Sequence, residues 1–268
     1  MKRFIKSFLP PIVLNILKKM KSYCYGWHGD YQSWQEAKEA SLGYDTDAIF
    51  QKVRNSLLKV KRGESVYERD GVLFDKIEYS WPLLAGLMYA AARLHGALHV
   101  MDFGGSLGST YFQNKNFLDG LRDVRWSIVE QKHFVDAGQI DFENERLRFY
   151  DDVNACIECE KPTILLMSSV LQYLENPYKT LDHLLEYEFE LIVMDRTAFS
   201  TKHKDMLTVQ KVPKNIYEAS YPCWFFDEEK LYQYFSSKGY RVIEVFDSID
   251  GSTVDYTFKG CILEKTTC

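Results

Sequence analysis

The chain has 268 residues, 46% of them hydrophobic and 26% charged, so it is long enough and apolar enough to bury one sizeable core. Its formal net charge of −5 excludes a protein that binds nucleic acid through a general excess of lysine and arginine. The six cysteines are scattered, with Cys156 and Cys159 at a C-x-x-C spacing, which favours reduced thiols in the cytoplasm over a disulfide framework.

The first 22 residues combine an apolar run with basic residues on both sides. Two prolines and Asn15 interrupt the run, no small-residue cleavage site follows it, and it is too short to span a bilayer. We expect a short helix docked on the domain, and the alternative is a basic amphipathic segment on an anionic membrane surface. The protein is therefore expected in the cytoplasm, or at the periphery of the inner membrane under the alternative.

Residues 23–97 are expected to form a mostly helical extension. Amphipathic spacing predicts helices over Ser33–Ala40 and Asp45–Val60. A third helix should start at Trp81-Pro82 and end at Gly96. We therefore predict a helical cap over residues 1–97 and an α/β domain over residues 98–268.

From residue 98 the hydrophobic period changes. Short apolar runs alternate with segments long enough for a helix, which predicts repeated strand and helix units and a parallel sheet. These runs are Val100–Phe103, Trp126–Glu130, Leu147–Tyr150, Thr163–Met167 and Leu191–Asp195. After a helix over Asp227–Phe235, the strand-like runs Tyr240–Phe246 and Phe258–Leu263 are joined by a turn, so the sheet should close with an antiparallel hairpin.

The segment Asp102–Gly108 joins the first of these strands to the next helix. The segment does not match the dinucleotide-binding motif Gly-x-Gly-x-x-Gly. If Gly104 is the first glycine, the second and third glycine positions hold Ser106 and Ser109. The carboxylate at the strand's end would repel a pyrophosphate, but it suits a ligand that carries an amino group and a sulfonium. The loop therefore indicates S-adenosylmethionine in preference to NAD or ATP.

Four segments in order resemble the class I S-adenosylmethionine-dependent methyltransferases over about residues 98–265. They are the loop Asp102–Gly108, Glu130 after the second strand, Asp151 or Asp152 after the third, and Leu165–Pro177 in the fourth strand and the helix start beyond it. The resemblance implies a Rossmann-like α/β fold, a mostly parallel sheet of seven strands with a terminal antiparallel hairpin. It also implies S-adenosyl-L-methionine as cofactor.

The same resemblance assigns a set of cofactor-binding residues. The loop glycines are expected to lie against the methionine part of the cofactor, Glu130 to accept hydrogen bonds from the ribose hydroxyls, and Asp151 or Asp152 to lie near the adenine amino group. Ser106 departs from the usual glycine, and the acids and serines of the set also have a plain explanation as groups that cap nearby backbone. The full set is Asp102, Gly104, Gly105, Ser106, Gly108, Glu130, Gln131, Asp151, Asp152, Ser168 and Ser169.

Nearly the whole chain resembles a family of bacterial methyltransferases often encoded beside genes for surface polysaccharide synthesis. The segments that carry this resemblance are Tyr31–Ala37, Tyr67–Asp70, Asp102–Phe112 and Glu130-Gln131. It implies a setting in polysaccharide biosynthesis but names no acceptor.

The loop after the fifth strand, Asp195–Lys204, is expected to serve the acceptor, because strand ends hold ligands in open α/β sheets. His203 is predicted as general base for a hydroxyl acceptor, with a solvated loop histidine as the alternative. Arg196 is predicted to contact an acceptor carboxylate or phosphate through its bidentate fork. No metal site is predicted, because the histidines lack zinc-ligand spacing. An aromatic group could stack on a sugar or pack as a lid: Tyr217, Tyr221, Trp224 and Phe225.

The leading hypothesis is therefore methyl transfer to a small polar acceptor, such as a sugar or a surface-glycan precursor. A protein that keeps the fold but only binds or scaffolds is the second hypothesis, motivated by Ser106. Another Rossmann-like enzyme, such as a dehydrogenase, is the third.

Overall fold

The computed structural model describes residues 25–42, 46–213 and 219–266, so the basic segment 1–22 and Tyr217 lie outside the described residues. The larger of two compact units comprises Thr46–Met206 and Trp224–Cys268, and the smaller comprises the described parts of Met1–Asp45 and Leu207–Cys223. This division differs from the boundary predicted after residue 97, because the helices between residues 46 and 97 belong to the larger unit. Within the described ranges, no helix combines the length and apolar character needed to cross a membrane.

The secondary structure consists of helices and strands that alternate through the middle of the chain. The helices are α1 (Trp34–Glu39), α2 (Thr46–Lys61), α3 (Trp81–Arg93), α4 (Ser109–Leu118), α5 (Lys132–Asp141), α6 (Val153–Glu160), α7 (Pro177–Leu185) and α8 (Glu228–Ser237). The strands are β1 (Gly26–Tyr31), β2 (Tyr67–Arg69), β3 (Val72–Phe74), β4 (Ala97–Phe103), β5 (Asp123–Val129), β6 (Leu147–Tyr150), β7 (Ile164–Ser168), β8 (Leu191–Ser200), β9 (Met206–Lys211), β10 (Ser220–Phe225), β11 (Tyr240–Ser252) and β12 (Tyr256–Lys265).

The larger unit is built on a seven-stranded sheet with the order β11-β12-β8-β7-β4-β5-β6. Strands β4 to β8 are parallel, and β12 joins β8 antiparallel with β11 outside it. The predicted fold class, a mostly parallel sheet of seven strands closed by an antiparallel hairpin, is confirmed. The order of connection reverses at β4, and this switch point is where open α/β sheets place ligands.

Consecutive residues of the central strands are buried, so both faces of the sheet are covered there. Leu98, Val100 and Met101 of β4 are fully buried, as are the apolar residues at the start of β7. Near-continuous apolar runs of this kind are typical of parallel strands buried on both faces. The core therefore holds β4 and β7 rigidly, and with them the loops at their carboxyl ends.

Helix α3 follows the prediction closely. Pro82 lies in its first turn, and Gly96 (φ +85°) follows it and donates its N–H to the Ala91 carbonyl at 2.8 Å. Helix α8 begins after Asp227, whose side chain accepts from the Lys230 N–H, as expected for an acidic N-terminal turn.

Residues 23–97, predicted to be mostly helical, contain three helices together with β1 and the β2-β3 hairpin, which the sequence did not predict. One prediction about secondary structure was wrong. The expected loop from Asp195 to Lys204 is largely strand, because β8 continues to Ser200, where it pairs with Tyr256 of β12.

The smaller unit contains β1, α1 and most of β9 and β10. Its sheet has the order β1-β9-β10, and β1 runs antiparallel to β9 with Gly26 opposite Lys211. Ser33 caps α1 by accepting from the Glu36 N–H at 3.2 Å, and the helix falls within the predicted range.

Candidate functional site

The glycine loop between β4 and α4 presents backbone N–H groups at the switch point. Gly104 donates its N–H to the Val129 carbonyl at 2.9 Å, and Gly108 donates to the Gly105 carbonyl at 3.0 Å. In the described part of the chain, the N–H groups of Gly105, Ser106 and Leu107 have no hydrogen-bond acceptor. Three free donors beside the N-terminus of a helix suit a polar or anionic ligand group.

Close packing dictates two of the loop's glycines. A Cβ on Gly104 would lie 2.3 Å from the Val170 Cγ2, and one on Gly105 would lie 2.5 Å from the Asp102 carboxyl carbon. Gly104 (φ +73°), Ser106 (φ +54°) and Gly108 (φ +99°) all have left-handed backbone. The loop is therefore held in one shape by Asp102 below it and by Val170 beside it.

Asp102 supports the loop from beneath and is only 1% exposed. Its Oδ2 accepts from the Trp126 Nε1 at 3.0 Å, and burial raises the pKa of the carboxyl to about 7. Asp102 thus supports the loop through Trp126, and its contact with a ligand amino group stays a prediction. Trp126 was missed as its partner, because an indole inside an apolar strand gives no polar signal.

Glu130 follows β5 directly and lies beside the loop. Burial raises the pKa of Glu130, and one of its carboxylate oxygens accepts from the Gln131 N–H at 2.5 Å. A carboxylate has about four lone-pair sites, so it keeps capacity to accept from ligand hydroxyls. The side chain of Gln131 makes no cap bond at the start of α5. Glu130 and the free loop amides therefore lie at the carboxyl ends of two adjacent parallel strands, with Gln131 following Glu130.

The acids after β6 are both exposed, and Asp152 has a structural role. It caps α6 by accepting from the Ala155 N–H at 2.9 Å. Asp151 Oδ2 lies 4.0 Å from the Lys132 Nζ. Asp152 is therefore a helix-capping acid, whereas the side chain of Asp151 caps no described helix.

The serines after β7 belong to the turn that touches the loop. Ser168 ends β7, and Ser169 (φ +56°) donates its N–H to the Asp195 carbonyl at 3.0 Å. Gln172 is completely buried and donates its Nε2 to the Arg196 carbonyl at 2.9 Å. The Oε1 of Gln172 has no partner within the described chain. Gln172 thus fixes this turn against β8.

Arg196 lies at the site, but its guanidinium is already bound within the chain. Its Nη2 lies 2.6 Å from the Asp70 Oδ2 and its Nη1 lies 3.4 Å from the Asp70 Oδ1, while its Nε lies 2.6 Å from the Asp250 Oδ2. These two carboxylates raise the pKa of Arg196 further above its ordinary value. The fork predicted to bind an acceptor anion is therefore occupied, and an anionic acceptor would have to displace a carboxylate.

His203 is exposed on the turn that follows β8. Strand β8 continues for five residues after Asp195 and ends at Ser200. At roughly 3.3 Å per residue, the turn therefore begins about 16 Å from Asp195. In the described part of the chain, no hydrogen bond, ion pair or ring contact joins His203 to another site residue. The structure thus does not bring the predicted general base to the glycine loop.

The β2-β3 hairpin contributes Glu68, which was missed as a site residue. Its Oε2 accepts from the Ser109 hydroxyl at 2.5 Å, its Oε1 accepts from the Gly71 N–H at 2.6 Å, and burial raises its pKa to about 7. Asp70 (φ +53°) and Gly71 (φ +77°) form the turn. An Asp-Gly pair followed by an apolar run, here Val72–Phe74, is a signal for a hairpin turn of type I′, so the sequence did contain the information.

The structure also bears on the metal site and on two members of the predicted aromatic group. Across the described ranges, no group of three or more His, Cys, Asp or Glu side chains is placed to hold a metal ion. Phe225 is 2% exposed and its ring centroid lies 4.8 Å from that of Tyr256. Trp224 donates its Nε1 to the Leu174 carbonyl at 3.1 Å. Trp224 and Phe225 therefore pack within the larger unit.

Comparison with known proteins identifies the fold. No protein-family model and no curated protein matches the sequence. The N-terminal domain of EvdMO1, solved in the presence of SAH and D-fucose, has a TM-score of 0.50 and 12% identity, covering 84% of this chain and 98% of that one. The chain has the class I methyltransferase fold. At this identity the likeness shows the fold alone.

Two further solved structures resemble the chain more distantly. An S-adenosylmethionine-dependent methyltransferase from Clostridium acetobutylicum has a TM-score of 0.48 and 8% identity, covering 81% of this chain and 99% of its own. The 1,6-didemethyltoxoflavin-N1-methyltransferase from Burkholderia thailandensis has a TM-score of 0.44 and 12% identity, covering 90% of this chain and 94% of its own.

Proposed function

We propose that the protein transfers a methyl group from S-adenosylmethionine to a hydroxyl of a small, neutral, polar acceptor. The observation that carries the proposal is the pairing of a glycine loop with free N–H groups and Glu130 at the carboxyl end of the next strand. The residues fit the cofactor, because the free amides suit its carboxylate and Glu130 suits the two hydroxyls of its ribose. When bound, the cofactor supplies a methyl group activated by a sulfonium.

The chain's own residues mainly bind and orient the reactants. Methyl transfer is an in-line displacement, so a fixed geometry and the exclusion of water do most of what the protein must do. The packing of Gly104 against Val170 and of Gly105 against Asp102 gives the loop that fixed geometry. The acceptor hydroxyl must also lose its proton. The residue proposed for that role is His203, on the turn that follows β8.

The charges around the site favour a neutral acceptor. Arg196 is paired with Asp70 and Asp250, and Glu130 adds a further carboxyl group. A phosphate or carboxylate on the acceptor would meet these acids at close range, which costs free energy in a partly buried site. A neutral sugar meets no such repulsion.

A sugar acceptor has support from one fold relative. The N-terminal domain of EvdMO1 was solved with both SAH and D-fucose present. A setting in surface-glycan synthesis, cytoplasmic or at the inner membrane through residues 1–22, rests on the sequence resemblance and on the basic segment.

The loop's departure from the usual glycine is compatible with the proposed cofactor site. Ser106 has φ +54°, so the serine takes the left-handed conformation that a glycine would take. Holding a non-glycine residue there costs about 1 to 2 kcal/mol. The chain keeps the loop's shape despite that cost.

Titration calorimetry with S-adenosylhomocysteine and with NAD tests the proposal. We expect the wild type to bind S-adenosylhomocysteine and not NAD. In Glu130→Ala, binding of S-adenosylhomocysteine should weaken about 10- to 100-fold, because hydrogen bonds to a charged acceptor are lost. Glu158→Ala, an exposed acid of α6, is the matched control and should bind like the wild type. Failure of the wild type to bind S-adenosylhomocysteine would refute the function, and unchanged binding in Glu130→Ala would refute the residue's role.

A further inference from the structure

The β2-β3 hairpin reaches two separate parts of the candidate site. Its residues Glu68 and Asp70 are two positions apart, yet one bonds to the start of α4 and the other to β8. In the sheet, β7 lies between β4 and β8 and pairs with both. At about 4.8 Å per strand, the two contacted segments extend from strands roughly 10 Å apart.

At its first contact the hairpin holds the end of the glycine loop. Glu68 is 1% exposed and accepts from the Ser109 hydroxyl, which belongs to the residue directly after Gly108. Gln113, one turn further along α4, donates its Nε2 to the Tyr67 hydroxyl at 3.1 Å. Both bonds fix the first turns of α4, whose N-terminus adjoins the free amides of the loop.

At its second contact the hairpin holds the acceptor side. Asp70 binds the Arg196 fork, and Asp250 of β11 binds the same guanidinium. The Arg196 backbone is itself tied to the turn after β7, because its carbonyl accepts from Gln172. That turn carries Val170, which packs against Gly104. A chain of contacts thus returns to the glycine loop.

We propose that the β2-β3 hairpin is a clamp that fixes the glycine loop against the acceptor side of the site, with Glu68 and Asp70 as its positioning residues. The role of the clamp in catalysis rests on the proposed function. The coupling of the start of α4 to β8 through the hairpin is a property of the protein without ligand. The Glu68 carboxyl is buried, and among the described residues it bonds to the Ser109 hydroxyl and the Gly71 N–H but to no cation. Burying it costs free energy that a hairpin with only a packing role would not need to spend. The positions of both acids are explained if the hairpin must join the start of α4 to β8.

Hydrogen exchange of the ligand-free protein tests the coupling. Asp70→Ala removes the bond to Arg196 and should raise exchange in the first turns of α4, which Asp70 does not touch. Ser109→Ala removes the partner of Glu68 without altering the hairpin and should raise exchange around Arg196. Arg69→Ala is the matched control, because Arg69 lies on the same strand but pairs with Glu78 at 3.2 Å. Effects confined to the altered end, or equal effects in Arg69→Ala, would overturn the clamp.

Calorimetry on the same variants separates positioning from a merely structural role. We expect binding of S-adenosylhomocysteine to weaken about fivefold or more in Asp70→Ala and Glu68→Ala, and to remain unchanged in Arg69→Ala. Glu68→Gln should recover much of the affinity, because its amide oxygen can accept from Gly71 while its NH₂ group donates to Ser109. Unchanged affinity in both alanine variants would also overturn the clamp. A wild type that does not bind S-adenosylhomocysteine would instead refute the function, and hydrogen exchange would still decide whether the clamp exists.

Discussion

Strained backbone occurs at four residues of the candidate site. Eight described non-glycine residues have positive φ; Asp70, Ser106, Ser169 and Arg196 lie at the site, and His95, Lys161, Glu188 and His203 lie elsewhere. Such conformations cost of order 1–3 kcal/mol and persist where surrounding contacts hold them, which is a feature of functional sites. Ser106 was the residue that most weakened the sequence argument, and the structure gives it the conformation that the loop requires.

Gly104→Ala is expected to destabilise the protein by about 2 to 4 kcal/mol and to weaken binding of S-adenosylhomocysteine. The new methyl group would lie 2.3 Å from the Val170 Cγ2, on a backbone with φ +73°. Urea unfolding and calorimetry measure the two effects, and Val170→Ala in the same chain should recover part of each.

Gly63→Ala is the matched control for that prediction. Gly63 has nearly the same φ, +74°, but nothing lies within 4 Å of its Cβ position. Gly63→Ala should lower the free energy of unfolding only through the strain of a left-handed backbone, by about 1 to 2 kcal/mol. Equal losses in the two variants would show that Val170 does not constrain the loop.

At the level of elements, β8 and the hairpin β11-β12 extend further than the sequence predicts. The segment after Asp195 contains polar residues and reads as a loop, but Arg196 to Ser200 continue the strand because β12 supplies their pairing. This extension carries His203 away from the carboxyl edge of the sheet. The strand's partner lies about 60 residues further along the chain, beyond the reach of a local pattern.

The acids after β6 should separate into a helix cap and a ligand contact. Asp152→Ala should lower the free energy of unfolding by about 1 kcal/mol, because the cap of α6 is lost, whereas Asp152→Ser should keep it. Affinity for S-adenosylhomocysteine should fall in Asp151→Ala and stay unchanged in Asp152→Ser. The reverse pattern in calorimetry would assign the ligand contact to Asp152.

At the scale of the whole molecule, buried acids link stability to pH. Burial raises the pKa of Glu68 from 4.5 and that of Asp102 from 3.8, each to about 7. Burial also raises the pKa values of Glu130 and Asp195. The folded protein therefore binds more protons than the unfolded chain between about pH 4.5 and pH 7, so stability should decline as pH rises through this range.

Urea unfolding from pH 5 to pH 8 checks this dependence. Glu68→Gln and Asp102→Asn should each flatten the decline, by up to roughly 3 kcal/mol at pH 8 relative to pH 5. Asp136 on α5 forms an exposed ion pair with Lys132. Asp136→Asn is therefore the control, and its stability should fall with pH as steeply as that of the wild type. A wild-type stability that rises with pH through this range would show that these carboxyl groups ionise normally in the folded protein.

The sequence by itself determined the alternation of strands and helices, the closing hairpin, the glycine loop and the place of Glu130. Each of these depends on hydrophobic period or turn chemistry within a short window, which the local residues carry. Only the tertiary structure decided that Asp102 lies beneath the loop, that β8 continues past Asp195, and that Arg196 is bound by Asp70, 126 residues away in the chain. These features arise because packing brings distant segments together, and no local pattern specifies which distant side chain completes a contact.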